Sequence, residues 1–141
     1  HVDNIGLHGF YNAPSLIEAA NDYEVHRIRL KELRQKGIEQ TVQDILSVLM
    51  EQVDFIYVTV DMDVLDISYA PGVPASTPGG MRSDELFEIL YEVGKCDGIG
   101  AIDFVCIDPT KDNSVEATVK TTTYAFLTFL ASVYQHRVKR Y

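Results

Sequence analysis

Cysteine is scarce in this chain, basic residues are few, and no long apolar run interrupts it. Each shortage removes a class of function. Cys96 and Cys106 stand ten residues apart with no Cys-x-x-Cys pairing, so neither a zinc knot nor a disulfide framework is indicated and a reducing, cytoplasmic setting is the default. Twelve Lys and Arg against 21 Asp and Glu leave a net charge of −9. Nucleic acid and anionic membranes both call for clustered cations, so neither is expected as a partner. The one basic cluster, Arg137, Lys139 and Arg140, closes the chain and suits a solvated tail that complements a helix C-terminus. No apolar stretch approaches the ~18 residues of a membrane span, and no signal peptide is visible.

What is present is apolar material for one domain, 46% hydrophobic over 141 residues, in alternating helix and strand patterns. Asn4 to His8 reads as a strand with a turn permitted by Gly9. Pro14 and Ser15 open a helix to about Asn21 with Leu16, Ile17 and Ala20 as its stripe. Glu24 to Leu30 alternates like a strand near an edge, and Lys31 to Lys36 is a helical turn stopped by Gly37. Ile38, Val42, Ile45, Leu46, Leu49 and Met50 trace the stripe of an amphipathic helix. That helix feeds the strand at Asp54, a crossover spacing that predicts parallel strands. Ser83 is the expected N-cap of a helix ending at Gly94, with Leu86, Phe87, Leu90, Tyr91 and Val93 buried. Gly98 to Ile107 is the last strand. Asn113, with Glu116 in a capping box, is expected to start a final helix to about Gln135, burying Val119, Phe126, Phe129, Leu130 and Val133.

The most informative stretch is Asp54 to Asp66, β-branched and aromatic until it ends in Asp61, Asp63 and Asp66, which reads as a buried strand delivering charge to a sheet edge. On a strand Asp61 and Asp63 share a face with Cβ atoms ~7 Å apart, and two carboxylates so close repel unless a cation sits between them. A divalent metal with oxygen ligands, magnesium or manganese, is the simplest candidate. His8, at a strand end, is weighed as a ligand too, since histidine is the commonest one. His26 reads as surface.

The loop behind the strand sharpens this. Val58 to Asp66, then Tyr69-Ala-Pro-Gly72, then Pro78-Gly-Gly80 resembles the signature of the ureohydrolases, the family of arginase, agmatinase and formimidoylglutamase. Departures are Thr59 for a serine, Ile67 for a proline, and an altered Val73 to Thr77. The resemblance implies a three-layer α/β/α fold with a mainly parallel sheet, residues 1–141 forming the C-terminal part of a single domain. It implies two manganese ions, with Asp61 bridging both and Asp63 binding one. The other ligands, a histidine and an Asp-x-His-x-Asp run, would lie upstream of His1, so this segment alone is expected to be inactive. The implied activity is hydrolysis of a guanidino or formimino C–N bond of a small molecule by a cytoplasmic homo-oligomer.

The last strand departs most. Asp103 and Pro109 match the family's Asp-x-x-Glu-Val-Asn-Pro, but the glutamate that would pair with the substrate's cationic group is Cys106. The substrate contact then falls to Cys106, to Asp108, or to neither; a buried structural thiol is the plain alternative. Asp103 reads as a hydrogen-bonded structural residue. Two other classes compete: a non-catalytic homologue with a structural or partner-binding role, and a phosphotransfer enzyme of the haloacid-dehalogenase-like kind with Asp61 as nucleophile.

Overall fold

The computed structural model describes residues 1–10 and 12–138; Lys139 and Arg140 of the terminal basic cluster lie outside the described residues. Strands and helices alternate: β1 (Asp3–Leu7), α1 (Pro14–Asp22), β2 (His26–Arg29), α2 (Leu30–Lys36), α3 (Ile38–Met50), β3 (Ile56–Asp61), α4 (Ser83–Gly94), β4 (Ile99–Val105) and α5 (Ala117–Val133). β1 pairs with β2 and β3 with β4, both in parallel. A parallel pair needs a crossover, which α1 provides for the first and α4 for the second. The class is α/β, as expected, but the described residues form two two-stranded sheets rather than one continuous sheet.

Gly37, at φ +96°, separates α2 from α3, a backbone conformation that favours glycine. α3 buries Ile38, Thr41, Val42 and Ile45 on the expected stripe, while Met50 at its end is exposed. The core joins Ile38 and Val42 to Ile56 and Val60 of β3, Ile99 of β4, and Leu86, Ile89, Leu90 and Val93 of α4. Each such side chain contributes about 1.5–3 kcal/mol by leaving water.

Four expectations need correction. α5 does not bury Val119, Phe126 and Leu130, which are exposed; it buries Thr118, Ala125, Phe129 and Ser132. The reason is close helix packing, since a Cβ added at Gly94 of α4 would lie 2.7 Å from Ser132 Cβ, and only small side chains fit such an approach. α1 buries none of its residues, so its stripe faces outward. β3 is buried on one face only, with Phe55, Tyr57 and Thr59 exposed. Ser83 is the first residue of α4 rather than its cap; Glu85 reaches back to accept from the Arg82 amide at 2.8 Å.

Glu85 also anchors the molecule's main internal ion pair. Arg34 Nε and a terminal guanidinium nitrogen donate to its two oxygens at 2.7 and 2.8 Å, and Arg34 reaches the Gly80 carbonyl at 3.3 Å. This fork ties α2 to the start of α4 and to the glycine turn before it, and Arg34 holds the Glu85 carboxyl below its ordinary range.

Candidate metal centre

β3 ends at Asp61, and the next three residues, Met62–Val64, tighten into a 3-10 turn. The turn is fixed from both sides. Met62 is fully buried, and Asp61 Oδ1 accepts from the Asp63 amide at 3.2 Å. The two carboxyls are therefore brought together by a turn and not by strand alternation as expected. The consequence is electrostatic. Burial raises the Asp63 carboxyl, and the charge of Asp61 and a hydrogen bond with it raise it further, while His8 acts in the opposite sense. A cation beside the pair would relieve that cost.

Cys106 joins them. Val105 is the register partner of Asp61, and Cys106 follows it in the left-handed region at φ 63°. The thiol is exposed, which corrects the buried structural reading. A hydrogen bond to Asp61 first, and burial second, push it up to about 11. It is thus a neutral donor at physiological pH and no thiolate nucleophile.

The remaining acids of these loops are saturated. Asp66 accepts from the Ser68 amide at 2.9 Å, the Ser68 hydroxyl at 2.6 Å and the Gly79 amide at 2.6 Å, and these hold its carboxyl down at about 2. A Cβ at Gly80 would lie 2.4 Å from the Asp66 amide nitrogen, which explains the second glycine of Pro78-Gly79-Gly80. Asp108, weighed as a recogniser of the substrate's cation, accepts instead from the Thr110 hydroxyl and amide at 2.5 and 3.1 Å and pairs with Lys111 at 3.2 Å. Asp112, which the sequence did not single out, accepts from the amides of Thr118 and Val119 at 3.1 and 3.0 Å, so it and not Glu116 leads the capping of α5. Asn113 assists, accepting from Ala117 at 3.0 Å. Asp103 lies half-buried on β4 and accepts from the Tyr57 hydroxyl, with one oxygen buried and unpartnered.

His8 lies at the end of β1 with Nε2 3.4 Å from the Thr77 hydroxyl. Among the described residues no group of three His, Cys, Asp or Glu could by itself hold a metal, so His8 does not complete a ligand set with the aspartates. Two neighbouring carboxylates are hard oxygen donors that suit a manganese or magnesium ion and would supply part of its coordination. No helix of the described residues is long and apolar enough to cross a membrane.

Comparison with known proteins identifies the family and the fold. Residues 1–131 match the model of the Arginase family. The formimidoylglutamase of Bacillus subtilis (strain 168) is 38% identical over 112 residues, covering 79% of this chain and 35% of that protein. The crystal structure of formimidoylglutamase from Bacillus subtilis subsp. subtilis str. 168 superposes with a TM-score of 0.88 at 34% identity, over 93% of this chain and 40% of that one. Trypanosoma cruzi formiminoglutamase, crystallised with Mn2+, shares the fold at a TM-score of 0.82 and 20% identity, over 93% of this chain and 42% of that one. The chain thus spans well under half the length of these relatives. The family match displaces the phosphotransfer reading of Asp61.

Proposed function

The chain belongs to the arginase family, and from that premise we propose that residues 1–141 are the C-terminal portion of a longer manganese-dependent hydrolase that cleaves a formimino or guanidino C–N bond. The observation that carries the reading is the Asp61–Asp63 pair, the Asp63 carboxyl raised by burial and by its neighbour Asp61 where β3 ends in its turn, the place where α/β folds put their chemistry. The formimidoylglutamase relative at 38% identity favours the formimino group, and the manganese in the Trypanosoma cruzi relative favours that metal.

Asp61 and Asp63 would hold the metal, their oxygens matching its preference. When bound, manganese supplies a nucleophilic water at neutral pH. The chain's own residues do the positioning. The amide of Asp63 and the thiol of Cys106 both bond to Asp61 and fix its carboxylate. Asp66 pins the loop behind the turn through Ser68 and Gly79. Cys106, exposed beside Asp61, would meet the substrate as a neutral group, where a carboxylate would pair with its charge.

Two of about six ligands cannot hold two ions tightly, so residues 1–141 alone bind manganese weakly and turn nothing over. Manganese titration calorimetry and an assay for formamide or urea release test both parts. The longer chain should bind two ions and hydrolyse an amidine, and D61N and D63N should each abolish both properties. Sub-micromolar binding of two ions by residues 1–141 would overturn the first part, and an inactive, manganese-loaded longer chain the second. That last outcome is what a non-catalytic homologue gives, and Cys106 at the glutamate position favours it as the second reading.

A further inference from the structure

Among the described residues, His8 is a polar group near the metal centre that this chemistry leaves unused. It follows β1 by one residue and is half-buried. Both ring nitrogens are placed: Nδ1 lies 3.2 Å from the Gly6 carbonyl oxygen and Nε2 lies 3.4 Å from the Thr77 hydroxyl. A carbonyl can only accept, so Nδ1 carries the donated proton, and in the neutral ring Nε2 then presents its lone pair. The 3.4 Å contact is at the long end for a hydrogen bond, so Thr77 leaves that lone pair nearly free.

The backbone brings this acceptor to the metal centre. Gly6, at φ +94°, sits so close to the turn after β3 that an added Cβ would lie 2.7 Å from Val64 Cγ2 and 2.9 Å from Met81 Cε. β1 therefore presses on Val64, the residue next to Asp63. Gly9, at φ +80°, then turns the chain away and leaves His8 at the rim. Thr77, on the other side of the ring, bridges to Asp66, so the imidazole is wedged between the two segments that frame the site.

We propose that His8 is a substrate-orienting residue whose Nε2 accepts a hydrogen bond from an N–H of a cationic amidine. The proposal rests on the hydrolase reading above and narrows its substrate to a group that offers N–H donors. The alternatives for that contact are occupied: Cys106 is a donor committed to Asp61, and Asp108 is taken by Thr110 and Lys111. A cation is also what this mouth attracts, with Asp61 and Asp63 beside the ring.

The test uses the longer chain with manganese bound. In 15N-histidine spectra the His8 resonance, assigned by its loss in H8A, should shift saturably as guanidinium or formamidinium chloride is added, and sodium chloride should not reproduce the shift. In the assay H8A should raise KM about 3- to 10-fold, the worth of one neutral hydrogen bond, with kcat within about twofold. H8Q, which keeps an acceptor, should recover most of the loss. An unshifted His8 resonance, or a loss in kcat with KM unchanged, overturns the proposal. If no amidine is hydrolysed at all, the hydrolase reading fails, and the spectra still decide whether Nε2 binds an amidinium ion.

Discussion

Asp63 and Asp66 stand three residues apart on one segment, yet their carboxyls are driven in opposite directions. Asp63 is raised by burial and by Asp61, with few donors to satisfy it. Asp66 is held at about 2 by the Ser68 hydroxyl and amide and by the glycine amides. Asp108 and Asp112 follow Asp66: the Thr110 hydroxyl lowers the first, and for the second the amides of Val119 and Thr118 outweigh its burial. Acidity alone therefore does not mark a cation site. The marker is a carboxylate that the protein leaves unsatisfied among many that it has satisfied.

This contrast can be broken first at the satisfied side. G80A drives a Cβ into the Asp66 backbone at 2.4 Å and should cost about 3 kcal/mol, with the Asp66 cradle lost; denaturant unfolding measures it. E85A removes the partner of Arg34, which also braces the Gly80 carbonyl. Breaking a fully buried pair costs about 3–5 kcal/mol, but the Arg34 side chain is 41% exposed, so about 2 kcal/mol is expected in the same measurement.

D66N tests the sign. A carboxyl held at about 2 stabilises the fold above the ordinary carboxylate range and loses that contribution as pH falls from about 4 toward 2. D66N should therefore lower Tm at neutral pH and flatten its fall across that interval. D63N sharpens the other side and is the smallest effect. A raised carboxyl stabilises while protonated and loses that contribution as pH rises through its folded value. The metal-free D63N chain should therefore be slightly more stable than the parent at pH 7, by under about 1 kcal/mol. A lower Tm would mean that Asp63 is satisfied after all.

The sequence disclosed the parts governed by local pattern. α3 shows its buried stripe in periodicity, because one side of that helix is polar and the other apolar. Asp61, Asp63 and the Pro78-Gly79-Gly80 turn were legible because each residue type has a narrow physical reason to be there. α5 was misread because it is apolar on most sides, and nothing local says that Gly94 lets Ser132 come close. Asp112 and Thr77 were missed for the same reason: their partners are brought by loops whose course depends on tertiary contacts. Cys106 was recognised by position, but its exposure and its bond to Asp61 depend on the end of β4 turning at a positive φ.

One hydroxyl joins distant parts of the molecule. Thr118 Oγ1 donates to Asp112 at 2.9 Å and accepts from the Gly72 amide at 2.7 Å, and the Asp108 amide donates to the Gly72 carbonyl at 2.8 Å. The first turn of α5 is thus riveted to the loops that trail both central strands. A tilt of that helix is handed on through this hydroxyl to the loops that follow Asp63 and Cys106, so a disturbance in α5 has a direct mechanical route to them.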